Sequence, residues 1–228
     1  MGAMTESQME AEIRANLGDR TDLDSRLVTF INWAQEEIAR QHTFRELQEI
    51  NTSITTTADL VKNSLPTGTR NLISIRLLDG TSSRKVIYVP SGLFDKNFPS
   101  PAEYATSRPT HYTLYGDVIY WWRVPNDAYS VELKRELWPT ALTAASATVS
   151  DLENLDEAIC GLATAKALKS IGADVKKVSI FMKDANFIIK EAIRRDKTLY
   201  ADQDIRADYN FGRGSSDYWL DPFVRRSP

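Results

Sequence analysis

Apolar residues change their spacing twice along this chain, and nothing else in the sequence restricts its fold so tightly. In the first 48 residues they recur every three to four positions, as on a helix with one buried face. Met9, Ile13 and Leu17 make one such stripe, opened by the capping-box spacing of Thr5 and Gln8 and closed by Gly18. Leu27, Ile31, Ala34 and Ile38 make a second, widened by Phe30 and Trp33, with Asp24 placed as its N-cap. From Glu49 the period drops to two: Ile50, Thr52, Ile54 and Thr56 alternate, and β-branched residues dominate. After Pro139 a small-residue run, TALTAASATVS, leads back to helical spacing. Asp151 or Asn154 is placed to cap a third helix, which carries Ile159, Leu162, Ala163 and Ala167 and is closed by Gly172. Val178, Phe181, Ala185, Ile188 and Ala192 mark a fourth.

Wide apolar stripes must be buried, so the helices on the two sides of the β-type segment are expected to pack on one another. The prediction is an α+β chain: a discontinuous helical bundle (residues 1–48 and 151–199), an inserted antiparallel β domain (49–150) and an extended C-terminal tail (200–228). Inside the insertion, LISIRLLDGTSSRKVIYVP reads as a hairpin. Ile73, Ile75 and Leu77 share one face, Asp79-Gly80 lies in the turn, and Val86 and Tyr88 line the return strand. SGLFDKNFPSPAEYATSRPT is expected to form a short helical turn and an excursion. HYTLYGDVIYWWRVPNDAYSVELKREL supplies three more strands, separated by Gly116-Asp117 and Pro125-Asn126-Asp127. In the last of them Tyr129, Val131 and Leu133 are expected inside, and Glu132, Lys134 and Glu136 in solvent.

Composition narrows the function classes. With 28 basic against 31 acidic residues and a formal net charge of -3, the chain lacks the basic footprint of a nucleic-acid binder. A single cysteine, Cys160, excludes an intramolecular disulfide and a cysteine-based zinc site, and its apolar setting predicts a small buried hydrophobe. No segment approaches the roughly 18 consecutive apolar residues of a membrane span, and no signal-like pattern opens the chain, so a soluble, cytoplasmically made protein is expected.

Catalytic signatures are missing: no HExxH, GxxxxGK[ST], GxSxG or dinucleotide fingerprint occurs. His42 is expected at a helix end, and His111 at the start of a strand. Asp151, Glu153, Asp156 and Glu157 crowd a predicted helix start, where negative charge is favoured by the macrodipole. Asp202, Asp204 and Asp208 lack the glycine and terminal glutamate of an EF-hand. No cofactor or metal is predicted. Trp121 and Trp122 must point to opposite sides of a strand. Trp122, sharing its side with Val118 and Tyr120, is expected in the core, which leaves Trp121 beside Ile119 and Arg123, either covered by a second layer or exposed as a platform for a sugar or another chain. The end of the sequence carries the strongest signal. Gly212, Gly214, Ser215 and Ser216 loosen it, yet Tyr209, Phe211, Tyr218, Trp219 and Phe223 are bulky anchors, to be buried either by folding back over their own domain or on a partner, and Arg225 and Arg226 add charge. Spaced anchors on an extendable string suit a partner's surface.

FINWAQEEIARQHTFREL, RLLDG, FDKNFPSPAEY, RPTHYTLYGDVIYWWRVPNDAYSVELKREL and DEAICGLATAKAL resemble the head-to-tail adaptor, or connector, proteins of tailed bacteriophages, particularly short-tailed ones. The resemblance spans residues 5–198. Where many members have a tyrosine before the Leu-Pro of the first hairpin, this chain has Asn63-Ser64 ahead of Leu65-Pro66. It implies a structural virion protein forming a homo-oligomeric ring, typically twelve-fold, under the portal protein at the capsid vertex. The other side of the ring would meet a tail nozzle or tail tube protein, and tail fibres are a further possible partner. DNA would pass through the channel without specific binding, and the C-terminal tail would dock on the portal. Two other classes remain open: a carbohydrate- or fibre-binding module using Trp121 and Arg123, and a wall-degrading hydrolase, which would need paired carboxylates in a cleft.

Overall fold

The computed structural model describes residues 3–79, 82–98, 100–144 and 147–211. Helix α1 (Glu6–Asn16) opens with the expected capping box. The Gln8 N–H donates to Thr5 Oγ1 at 3.3 Å, and the Thr5 N–H donates to Gln8 Oε1 at 2.9 Å. Gly18, with a φ of 75°, turns the chain out of it. Helix α2 (Asp24–Gln41) departs from expectation at its first turn. Its N-cap is Leu23, and Asp24 is the first helical residue, reaching across to Arg14 of α1 at 3.0 Å. The start of α4 (Asp156–Ser170) differs in the same way, with Leu155 as N-cap. Asn154 takes a left-handed φ of 59°, and Asp151 accepts a hydrogen bond from the Thr140 N–H at 2.7 Å. Helix α5 (Val175–Phe211) runs further than expected: residues 200–211, predicted as extended tail, are helical.

α4 occupies the centre of one core. Nine of its fifteen residues are buried, on every side of the helix, because alanines and a glycine let neighbours approach closely. α1 contributes Met9 and Ile13, α2 contributes Leu27, Phe30, Ile31, Ala34 and Ile38, and α5 contributes Ala185 and Ile189. A Cβ placed on Gly161 would lie 3.3 Å from the Ala185 Cβ and 3.6 Å from the Phe181 carbonyl oxygen, which locates the crossing of α4 and α5. The small-residue run before α4 is tied to α2. Asn32 pairs with both backbone groups of Leu142 at 3.0 and 2.8 Å, and Gln35 accepts from the Ser150 hydroxyl at 2.6 Å.

Seven strands make a second core: β1 (Gln48–Thr55), β2 (Lys62–Ser64), β3 (Thr69–Asp79), β4 (Ser82–Tyr88), β5 (His111–Tyr115), β6 (Val118–Trp122) and β7 (Ser130–Leu137). They lie in the order β1-β7-β3-β4-β5-β6-β2. The sheet is mixed, not purely antiparallel, since β4 and β5 run parallel with Ile87 opposite His111. The excursion explains this: a parallel joint needs a long crossover, and residues 89–110, with helix α3 (Ser91–Asn97), supply it. The sheet curls until its two ends meet, where the Asn63 amide of β2 donates to the Thr55 carbonyl of β1 at 3.2 Å. Ile75, Leu77, Val86, Tyr112, Ile119, Trp121, Val131 and Leu133 fill the inside.

Several inside–outside expectations need correction. Trp121 is completely buried and Trp122 lies on the other side of β6. Both sides of that strand carry large apolar residues, so alternation alone left the choice open. Asn63 decides it by accepting the Trp121 indole N–H at 2.7 Å, while the excursion covers Trp122 with Phe98, stacked at 4.2 Å, and Tyr104. Ile73 faces solvent because the β3–β7 register shifts between Leu72 and Ser74. Tyr88 is about half exposed. Glu136 is buried, where Arg70 meets it at 2.6 Å and the Thr43 hydroxyl donates to it at 3.3 Å.

These contacts set the expected cost of breaking them. Trp121→Ala should cost about 3–5 kcal/mol by emptying the sheet core, and Asn63→Ala about 1–3 kcal/mol by stranding the indole N–H. Chemical denaturation checks both, and an Asn63→Ala variant as stable as the parent would argue against this hydrogen bond. Gly161→Leu should lower stability by about 1–3 kcal/mol or more, since the added side chain has no space against Ala185; an unchanged melting temperature would refute the close crossing.

Candidate interaction surfaces

The histidines and the cysteine serve the fold. His42, following the last turn of α2, places Nε2 2.6 Å from Asp196 of α5 and packs edge-on against Phe44. Arg70 and Glu136 sit beside it, and both Arg40 and Arg70 lie over the Trp138 ring. The group joins the ends of β3 and β7 to α2 and α5. Burial holds the Glu136 carboxyl above its ordinary range, against the opposing pull of Arg70. The His111 imidazole bonds to Thr110, and partial burial lowers its pKa. Cys160 is buried inside α4, and burial pushes its thiol up to about 12, so a thiolate nucleophile is disfavoured there.

The carboxylates of the α4 start do come together. Asp151, Glu153, Asp156 and Glu157 join Glu46 around an open cleft of about 750 Å³. Asp156 accepts from the Met4 N–H at 2.9 Å, and the Thr5–Val149 bridge holds the N-terminal segment alongside. Among the described residues no group of His, Cys, Asp and Glu side chains is arranged to hold a metal ion. The cleft concentrates negative potential, and its exposed apolar element is Val149.

Beyond scattered residues such as Trp33 and Ile50, exposed apolar side chains among the described residues gather on the sheet side and on α5. On the sheet side, Ile87, Tyr88, Leu93, Tyr104 and Tyr115 are accessible, with the Tyr115 hydroxyl donating to Asp95. On α5, Val175, Ile180 and Phe187 face away from the core, Phe187 being 68% exposed. The helical stripe read from the sequence does not include them, although Ile180 and Phe187 lie seven residues apart outside it.

The residues singled out in sequence are scattered. Trp121, for which a covered position and an exposed platform were both open, is the covered one and has no exposed surface to offer a sugar or a protein. Arg123 is exposed at the end of β6, with a φ of 62°. Tyr209 and Phe211 lie on the last turns of α5. Tyr218, Trp219, Phe223, Arg225 and Arg226 lie outside the described residues. No helix among the described residues is long and apolar enough to cross a membrane.

No match was found among curated proteins. A family model described as SU10 adaptor protein matches residues 4–210, which takes in both cores and nearly all of α5. The chain therefore belongs to the SU10 adaptor protein family, and with it to the structural adaptors that connect head and tail in bacteriophages.

Proposed function

We propose that this protein is the ring subunit that joins the portal at the capsid vertex to the tail and lines the DNA exit channel. The single observation that carries the proposal is the family match over residues 4–210. The helices before and after the sheet (1–48 and 151–199) form one unit that packs side by side in the ring, twelve copies being the working number. The β unit (49–150) projects from it, with Arg123 placed to meet a tail protein or fibre. The protein performs no bond-making of its own and needs no cofactor, and its place is the virion. The burial of Trp121 removes the support for a sugar-binding reading.

Residues 200–228 carry the portal contact in this proposal. Tyr209 and Phe211 form an inner anchor pair, while Tyr218, Trp219 and Phe223, with Arg225 and Arg226, form an outer group. Aromatic and arginine anchors supply most of the energy of many protein interfaces. A near-neutral subunit also suits a channel that must release DNA, because each phosphate neutralised by Lys or Arg adds salt-sensitive affinity.

Chains ending at residue 211 and at residue 207 should both fold, with melting temperatures near that of the full chain, and portal binding should fall in two steps. Normal assembly onto portal rings by both truncated chains would sink the docking role. Mobility-shift assays of portal-assembled rings with duplex DNA at physiological ionic strength should show no retained complex, and tight retention by the rings would overturn the channel reading.

A further inference from the structure

The outer side of α5 carries two interleaved rows with one spacing. Lys176, Lys183, Lys190 and Lys197 recur every seven residues, and Ile180, Phe187 and Arg194 recur every seven beside them. Alternating steps of four and three bring all seven onto one line, as at a helix–helix seam. The line is about 30 Å long at 1.5 Å per residue. Every side chain on it is exposed. The opposite side of α5 is already used, since Ala185 and Ile189 are buried against α4. No ion pair among the described residues engages Lys176, Lys183 or Lys190, so this face is both apolar and positively charged.

The acidic cleft at the start of α4 has the opposite character. Its lining includes five carboxylates around the apolar side chains of Met4 and Val149, and Arg45 and Arg195 line only the adjoining pocket that shares Glu46 and Glu153. We propose that the outer face of α5 in one copy docks into this cleft of a second copy, with Phe187 against Met4 and Val149 and the lysines against Glu153 and Glu157. Seam and cleft are different surfaces of one chain, so the contact is head-to-tail. Each added copy leaves one seam and one cleft open, and the series ends only when a ring closes. The inference rests on the ring reading above, and that reading supplies a second argument. A ridge of lysines left open to the channel would retain DNA, whereas one covered by a neighbour's carboxylates would not.

Disulfide trapping tests the pairing. Phe187→Cys and Val149→Cys alter exposed positions, and the native Cys160 is buried. Rings assembled on the portal from a mixture of the two single variants should oxidise to cross-linked dimers, and rings of the double variant to a ladder of higher oligomers. Rings that form yet give no link between positions 187 and 149, or only links between like positions, overturn this interface while leaving the connector reading intact. Failure of the unmodified chain to assemble with portal defeats the connector reading itself and this interface with it. Lys183→Glu with Lys190→Glu should weaken assembly on the order of tenfold, and Glu153→Lys with Glu157→Lys in the same chain should restore it. Loss without such rescue would also overturn the pairing.

Discussion

The burial of α4 on all sides is the constraint on which the architecture depends. Between its polar ends this fifteen-residue helix is mostly small and apolar, with four alanines and Gly161, so its middle must be surrounded. Its neighbours come from both ends of the chain: α1 and α2 precede the sheet, and α5 follows it. The chain has to leave this core and return to it, and the seven strands are the path between. That path stays separate because the sheet curls upon its own apolar interior, with Asn63 closing the curl between β2 and β1.

Two cores joined by a short neck need a fixed angle between them, and polar contacts supply it. His42 with Asp196, Arg70 with Glu136, and the two arginines over Trp138 meet where the strands reach the helices. Glu136 shows the balance of forces at this point. Desolvation raises its pKa more than Arg70 lowers it, so the pair orients the two units but is a weak source of stability.

A formal net charge of -3 hides an uneven surface, with lysines along the outside of α5 and carboxylates around the start of α4. In the proposed contact between copies, such opposite patches would favour ordered association over non-specific clustering, because like faces repel and unlike faces attract. Apolar side chains set within those patches, Phe187 on one and Val149 on the other, give the attraction a short-range component that salt does not screen.

Local signals were enough for the elements. The capping box of Thr5 and Gln8, the two helical stripes, the switch to alternation near Glu49 and the turn at Gly116 are each encoded within a few residues, because they rest on backbone preference and periodic burial. The family resemblance was legible too, since it lies in those same elements. Which way β6 faces was not local, because Ile119 with Trp121 and Tyr120 with Trp122 are equally apolar, and Asn63, a partner 58 residues from Trp121, chose between them. The parallel joint of β4 and β5, the burial of Glu136 and the gathering of Glu46 with the carboxylates of the α4 start were likewise decided by tertiary structure. The sequence determined what each segment can form; only packing determined what each side chain meets, because a contact energy exists only once distant parts of the chain are side by side.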